Sequence, residues 1–537
     1  MRVFQSFFKT VLFTAVFFVS SFSLFAQKSK PLEEKQQTRS SVSQSTAAKV
    51  PPTQNTVLSS TTRNNSTYPS IEPLFTAEEK LGYNPPAILS ADEVFKLSLL
   101  FSRCPLDSTS AKSALQKFER IKKEVSSTKY MRMSEEERGE AVLRYLYSNT
   151  LIEYNEDQSK LNTIFETGYY NCVSASLLYM AAAKAAGLEV RGQKTPVHAF
   201  CTIYVNDKTT GRKRKIDVET TNPYGFNPGS TGTVETDNMT MYYTVPETNY
   251  ADRQEVSDKI FTGLIANNLC VDYLNDNDYF SAIPIMGAFY NLIRDENSAA
   301  QRQVRDDFFG FPNSYIVTRI PDITACTTTE YADLLHWFAS FIERWGKNTL
   351  IQQNMDSAFN NLLVRCYQEK NYNLADSSYK ELKPYISQKQ LSEGESILTE
   401  LLLLTMTEGV APRDQINLIT EQLNSRKMTS TQRERFLLVL ENAWYSILVD
   451  HMNNHDFQAG YKDALIAESQ IPTSDTLRQI TQIFYTNCIV EIHNNFVIQA
   501  NKGNYKEAKK ILDKGLADFP GDKTLQQDLA TIKQVLR

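Results

Sequence analysis

The stretch GYYNCVSASLLYMAAAKAAG (168–187) decides how this chain is read. From Cys172 onward it is an Ala-rich run of good helix propensity, and Gly187 stands where a left-handed C′ residue would end the helix. Gly168 and Asn171 supply the preceding turn, so Cys172 is expected at the N-terminus of a buried helix. That position favours negative charge, because unpaired backbone N–H groups and the helix dipole converge on it. A thiolate is stabilised there, and the thiolate is the nucleophilic form of cysteine. The same N–H groups can stabilise an oxyanion on an attacked carbonyl.

A nucleophilic cysteine needs a base. Of five histidines, His336, His451, His455 and His493 lie in the C-terminal half, and His198 alone precedes residue 300. His198 opens HAFCTIYVN (198–206), an alternating run rich in strand formers. The turn DKTTGRKR (207–214) and a second strand, KIDVETT (215–221), follow, which together make a hairpin. A strand folded back on the helix start would place the imidazole beside the thiol, and such a pair can exist as thiolate and imidazolium near neutral pH. A third group should orient the imidazole. Asp217 and Glu219 are the candidates: two residues apart on a strand, both can face His198. Each also reads as an ordinary hairpin carboxylate beside the basic turn. Cys201 lies on the opposite strand face and is expected to be buried and inert.

With these residues in order, the region from about 135 to 245 resembles the core of the transglutaminase-like superfamily, including its bacterial cysteine peptidases. There a Cys begins a helix, a His follows on a strand, and an acid follows on the next, commonly in an acid-x-Thr motif. The resemblance gives Cys172 the nucleophile's role and His198 the base's. Glu219-Thr220-Thr221 fits the acid-x-Thr register, whereas Asp217 is the more usual residue type, so both stay candidates. It implies an α+β papain-like core, helices first and then an antiparallel sheet. Tyr169, Tyr170 and Asn171 are the nearby candidates for a side-chain oxyanion donor.

Working outward, residues 76–165 carry helical patterns. Ser90 precedes ADEVFKLSLLF, and Ser134 precedes EEERGEAVLRYLYSN, whose Val142, Leu143, Leu146 and Tyr147 share a face. YGFNPG (224–229) reads as a turn after the acid strand. Beyond about 255 the chain is helical, with a recurring motif: NDNDYFSAI (275–283), EKNYNLADS (369–377), NNHDFQAGY (453–461) and NKGNYKEAK (501–509). Each reads as a polar turn, then Tyr or Phe, then Ala three residues after that aromatic. The pattern resembles the turn between paired helices of tetratricopeptide-type repeats, at irregular spacing. An ordinary helical bundle is the plainer alternative.

At the N-terminus, Arg2 and Lys9 precede an apolar run from Thr10 to Phe25, with small residues before Ala26. The run is about 16 residues, short of the roughly 20 a membrane span needs, so residues 1–26 read as a secretory signal. Residues 27–75 are rich in Ser, Thr, Gln, Asn and Lys and read as a disordered linker. The expected organisation is therefore signal peptide 1–26, linker 27–75, transglutaminase-like domain 76–254 and an all-α helical-repeat domain 255–537, exported to the periplasm or cell exterior.

A length of 537 residues exceeds one core, and 41% hydrophobic with 22% charged residues fits a globular protein. Net charge of −5 gives no reason to expect nucleic acid as a partner. The seven cysteines contain no CxxC pair, and no Gly-rich phosphate loop is present, so no cofactor is expected. His451 and His455 have the i, i+4 spacing of a helical metal pair, but without HExxH no metal site is expected. Two functions remain in play. One is a cysteine hydrolase or acyltransferase acting on an amide bond in a protein or peptide. The other is a catalytically silent scaffold whose helices bind a protein partner.

Overall fold

Ser90 and Ser134 each open a helix with a reciprocal capping box, in which the cap hydroxyl accepts the amide of Glu93 or Glu137 and that carboxylate returns to the cap amide. The chain is described by a computed structural model over residues 67–207, 210–236, 239–244, 252–319 and 326–536. The expected signal peptide and residues 27–66 of the expected linker lie outside the described residues.

The first helices are α1 (Ala77–Leu81), α2 (Ala91–Phe101), α3 (Thr109–Val125), α4 (Thr128–Met131) and α5 (Glu135–Asn149). Then come β1 (Glu153–Tyr154), α6 (Leu161–Thr167), β2 (Tyr169–Tyr170) and α7 (Cys172–Ala185). Strands β3 (Glu189–Lys194), β4 (Ala199–Asn206) and β5 (Lys213–Val218) follow, then a hairpin of β6 (Thr231–Thr236) and β7 (Met239–Thr244), and β8 (Gln254–Val256). The main sheet has the order β5-β4-β3-β8, antiparallel throughout. The expected β4–β5 hairpin is present, and β3 and β8 extend it on the other side.

α7 is the centre of this half. Its residues Val173 to Ala183 are all buried, packed by α2, α3 and α5 and by strands β3 and β4. α5 presents Val142, Leu143 and Leu146 to the interior, as their spacing requires. At its far end Gly187 takes φ 71°, the left-handed conformation expected of a C′ glycine.

The packing does not part at 254/255. One core runs from Phe75 to Leu401, and two smaller clusters follow, Leu403–Phe484 and Cys488–Ile532. The reason is α8 (Asp258–Asn275), which packs on α2, α7 and β3. Its buried Asp258 accepts the Leu89 amide at 2.9 Å and the Lys184 ammonium at 2.8 Å, joining α8 to α7 and to the segment just before α2. The linker expected through residue 75 also ends sooner. Trp337 and Trp345 donate to the carbonyls of Pro69 and Ile71, each at 2.7 Å, and Phe75 is buried. The apolar residues Tyr68, Ile71 and Phe75 bind this short segment to the helices, against the polar average of the stretch before it.

The rest is helical: α9 (Tyr279–Ile293), α10 (Ala299–Arg319), α11 (Thr328–Trp345), α12 (Thr349–Gln368), α13 (Tyr372–Leu382), α14 (Gln388–Thr407), α15 (Pro412–Ser425), α16 (Ser430–Asn453), α17 (Phe457–Gln470), α18 (Asp475–Asn501), α19 (Tyr505–Asp518) and α20 (Lys523–Val535). The four recurring motifs share one geometry. Asn277, Lys370, His455 and Gly503 each have φ between 56° and 75°, an Asn or Asp N-cap follows, and the aromatic opens the next helix. Three residues on stand Ala282, Ala375, Gly460 and Ala508, all buried, so the third copy uses Gly where the others use Ala. Small side chains here let neighbouring helices approach closely. His455 therefore lies beyond the end of α16 in the turn, so the i, i+4 helical pair with His451 does not form. No described helix is long and apolar enough to cross a membrane.

Candidate functional site

The site is built at the start of α7. Asn171 Oδ1 accepts the amides of Val173 and Ser174 at 3.0 and 3.1 Å, and Ser174 Oγ accepts the Asn171 amide at 3.0 Å. Asn171 Nδ2 donates to the Glu156 carbonyl at 3.0 Å and to Ser159 Oγ at 2.7 Å, tying the helix start to the loop after β1. The cap therefore takes two of the amides expected to face the thiol, but not that of Cys172. It also commits Asn171, and Tyr170 is committed by its hydroxyl's bond to Tyr147 at 3.1 Å. Tyr169 remains exposed.

One turn further along α7, Ser176 sets the register of the other two elements. Its hydroxyl donates to the Ala199 carbonyl at 3.2 Å and lies 2.6 Å from Thr220 Oγ1, with Ser176 and Thr220 fully buried. Ala199 follows His198 and Thr220 follows Glu219. The buried contact thus brings the imidazole and a carboxylate level with the first turn of the helix. Tyr147 on α5 donates to the Thr220 carbonyl at 2.9 Å and holds the acid's segment from the other side.

His198 Nε2 is 2.8 Å from Glu219 Oε2, with the two side chains only 19% and 13% exposed. The Cys172 thiol lies close enough to the imidazole to act on its titration. Because Glu219 engages Nε2, Nδ1 is the ring nitrogen left for the thiol. Burial alone would lower the imidazole pKa, but the hydrogen bonds and charges of Cys172 and Glu219 outweigh it and push the pKa up to about 10. Burial likewise works against the Glu219 carboxylate, yet the bond and charge of His198 and the bonds of Thr221 hold it below its ordinary range. Thr221 donates to Oε1 from its amide at 3.2 Å and its hydroxyl at 2.7 Å, leaving Oε2 for His198.

Asp217 does not reach His198. Its carboxylate takes Arg253 Nη1 at 2.5 Å, Arg253 Nη2 at 2.9 Å and Thr202 Oγ1 at 2.6 Å. Asp217 pairs with Thr202 across the sheet, four residues along the chain from His198. Sharing a face was not enough, because two strand residues span about 6.8 Å and only one acid can be level with the imidazole. Cys201 is fully buried on the other face, and its Sγ donates to the Ser176 carbonyl at 3.3 Å. Burial pushes its thiol well up, which keeps it inert. Cys104, Cys172, Cys201, Cys270, Cys366 and Cys488 form no disulfide.

Two tyrosines join the site that the sequence reading passed over. Tyr147 belongs to the apolar face of α5, where a buried hydroxyl needs a partner, and that signal pointed to it. Tyr154, paired with Tyr170 in the parallel β1–β2 ladder, packs edge-on against the Tyr170 ring. Burial, then the neighbouring Cys172, pushes its hydroxyl up to about 12. No group of three or more His, Cys, Asp or Glu able to hold a metal occurs among the described residues. Comparison with protein-family models, with curated proteins and with solved structures finds no match.

Proposed function

We propose that this protein is an exported cysteine hydrolase of the transglutaminase-like kind, with a papain-like core, acting on an amide bond of a protein or peptide. The observation that carries the reading is the 2.8 Å contact of His198 Nε2 with Glu219 Oε2, in reach of Cys172 at the start of α7, which leaves Nδ1 for the thiol. Export rests on the sequence of residues 1–26.

In the proposed reaction the Cys172 thiolate attacks the amide carbonyl carbon, forming a C–S bond as the carbonyl π pair moves to oxygen. The Cys172 amide, which the Asn171 cap leaves aside, is the nearest backbone donor for that oxyanion. The tetrahedral species collapses, the C–N bond breaks, and the His198 imidazolium gives its proton to the departing amine. The neutral imidazole then takes a proton from water as water attacks the thioester, which releases the carboxylic acid and regenerates the thiol. An amine in place of water would give transfer by the same steps. Glu219 keeps the ring oriented and stabilises its charged form throughout.

The test is iodoacetamide alkylation of Cys172 from pH 4 to 9 in the intact protein and in His198→Ala. Rapid labelling well below the ordinary thiol pKa of about 8.5, lost in His198→Ala, is expected. An inert Cys172, or identical profiles, would remove the basis for catalysis.

A second reading, partner binding by the helical half, has its own observation. Ile483, Val490 and Ile498 form an exposed apolar stripe along α18. Beside it, a cavity of about 300 Å³ is lined by Tyr485, Ile489, Val490, His493 and Asp522. An alkylation profile insensitive to His198 would leave this reading standing alone.

A further inference from the structure

We propose that Phe200 and Arg253 are positioning residues for His198, forming a column in which Asp217 grips Arg253, Arg253 covers Phe200, and Phe200 backs the imidazole. The inference rests on the Cys172–His198–Glu219 reading and assigns work to a carboxylate, Asp217, that the site itself does not use.

Side chains two apart on a strand share a face, so Phe200 and Thr202 stand in a row along β4, with His198 immediately before the strand and its ring beside that of Phe200. The Phe200 ring lies 6.2 Å from the His198 ring, with 20° between their planes, and is almost wholly buried. Arg253 places its guanidinium 5.0 Å from the Phe200 ring centre. Its partners come from the far side of the sheet. Arg253 immediately precedes β8 at one edge, whereas Asp217 lies on β5 at the other, so the side chain crosses the face of the intervening strands. Thr202 closes the row by donating to Asp217 and accepting from Arg253 Nη2 at 3.1 Å.

The arrangement answers a mechanical need. The terminal torsion of a histidine is broad, and a ring that must present one nitrogen to Cys172 and the other to Glu219 needs a wall. Phe200 is that wall, and it is pinned by a planar cation that itself is held in a two-pronged grip. Because Asp217 neutralises the guanidinium, the column fixes position without repelling the imidazolium. The ionisable groups that face His198 directly are Cys172 from α7 and Glu219 beyond β5. Asp217 and Arg253 act only through Phe200.

The experiment follows His198 itself. The full chain is treated with diethyl pyrocarbonate, which acylates the unprotonated imidazole, from pH 6 to 10, and modification of His198 is read by mass spectrometry. Arg253→Met keeps length and apolar contact but removes the grip. Its His198 midpoint is expected to fall by about one pH unit, equivalent to about tenfold faster modification at neutral pH. Arg253→Lys, which keeps a cation over the ring, should lie between the two. A purely structural role would lower the melting temperature without moving this midpoint. If Arg253→Met does not melt cooperatively, Phe200→Leu is read in the same way. A cooperatively folded Arg253→Met or Phe200→Leu with the wild-type midpoint overturns the proposal. Failure of the catalytic reading shows elsewhere, as Cys172 alkylation indifferent to His198, and leaves the His198 midpoints legible.

Discussion

Glu219 Oε2 lies 2.8 Å from His198 Nε2, while its other oxygen is fixed by both the amide and the hydroxyl of Thr221. The carboxylate therefore cannot turn away from the imidazole without breaking two further bonds. A charge-assisted hydrogen bond of this kind contributes about 1.5–3 kcal/mol. Glu219→Gln is accordingly expected to slow Cys172 alkylation at pH 6 by more than about tenfold. Asp217→Asn, which touches His198 only through Arg253 and Phe200, should have the smaller effect of the two. Equal losses in both variants would contradict the assignment of Glu219 as the orienting acid.

The imidazole also makes stability depend on pH. His198 is pushed up to about 10 in the folded chain, against an ordinary value near 6.5 when unfolded. A raised pKa contributes stability that is fully present below about pH 6.5 and is lost as pH rises through about 10. Glu219, held below its ordinary range, contributes stability that is present above that range and lost as pH falls through its folded value. Melting curves of the intact protein and His198→Gln should therefore differ most near pH 6 and converge by pH 10. A gap that widens toward alkaline pH would show that the imidazole is not held in its charged form.

Gly225 is needed for close approach rather than for an unusual torsion. A Cβ there would stand 2.0 Å from the Glu219 carbonyl oxygen, in the loop where Gly225 O accepts the Glu219 amide at 2.8 Å. Gly225→Ala should displace the Glu219 segment and reproduce the alkylation defect of Glu219→Gln. Gly211→Ala is the contrast: its φ is +66° but nothing lies within 4 Å of the added carbon. It should cost roughly 1–2 kcal/mol of stability and leave the alkylation profile alone.

Ser176 and Thr220 form a buried contact of 2.6 Å that locks the cysteine helix to the segment carrying Glu219. Removing Ser176 strands the buried Thr220 hydroxyl, at about 1–3 kcal/mol, whereas removing Thr220 leaves Ser176 its bond to the Ala199 carbonyl. Ser176→Ala and Thr220→Val should each lower stability, and the double variant should lose less than their sum. Additive losses in denaturant titrations would mean that the two hydroxyls are satisfied independently.

How much of this was written in the sequence depends on the range of the forces involved. Helix starts at Ser90 and Ser134, the left-handed stop at Gly187 and the start of α7 at Cys172 are local events, decided within a few residues, and were legible. So was the pairing of β4 with β5, which one turn connects. β3 was missed because its Arg191, Gln193 and Lys194 hide any apolar alternation. The choice between Asp217 and Glu219 was out of reach for a different reason. Arg253, which claims Asp217, lies 36 residues away and arrives by the edge strand β8. The continuity of the core past residue 254 is likewise a long-range fact, carried by Asp258 joining Leu89 and Lys184.

That continuity has a limit further on, which gives a last prediction. Gly460, at the small-residue position of the third helical motif, would bring a Cβ within 2.2 Å of the Phe484 ring. Phe484 is fully buried in the cluster from Leu403 to Phe484, which shares none of its buried residues with the core around Cys172. Overpacking of this kind costs about 1–3 kcal/mol. Gly460→Ala should therefore lower the melting temperature of the C-terminal helices, read by limited proteolysis within α16 to α18, while Cys172 alkylates at the wild-type rate below that transition. If alkylation slows in step with the proteolysis, the helical half supports the site directly. The two cores must then melt as one unit.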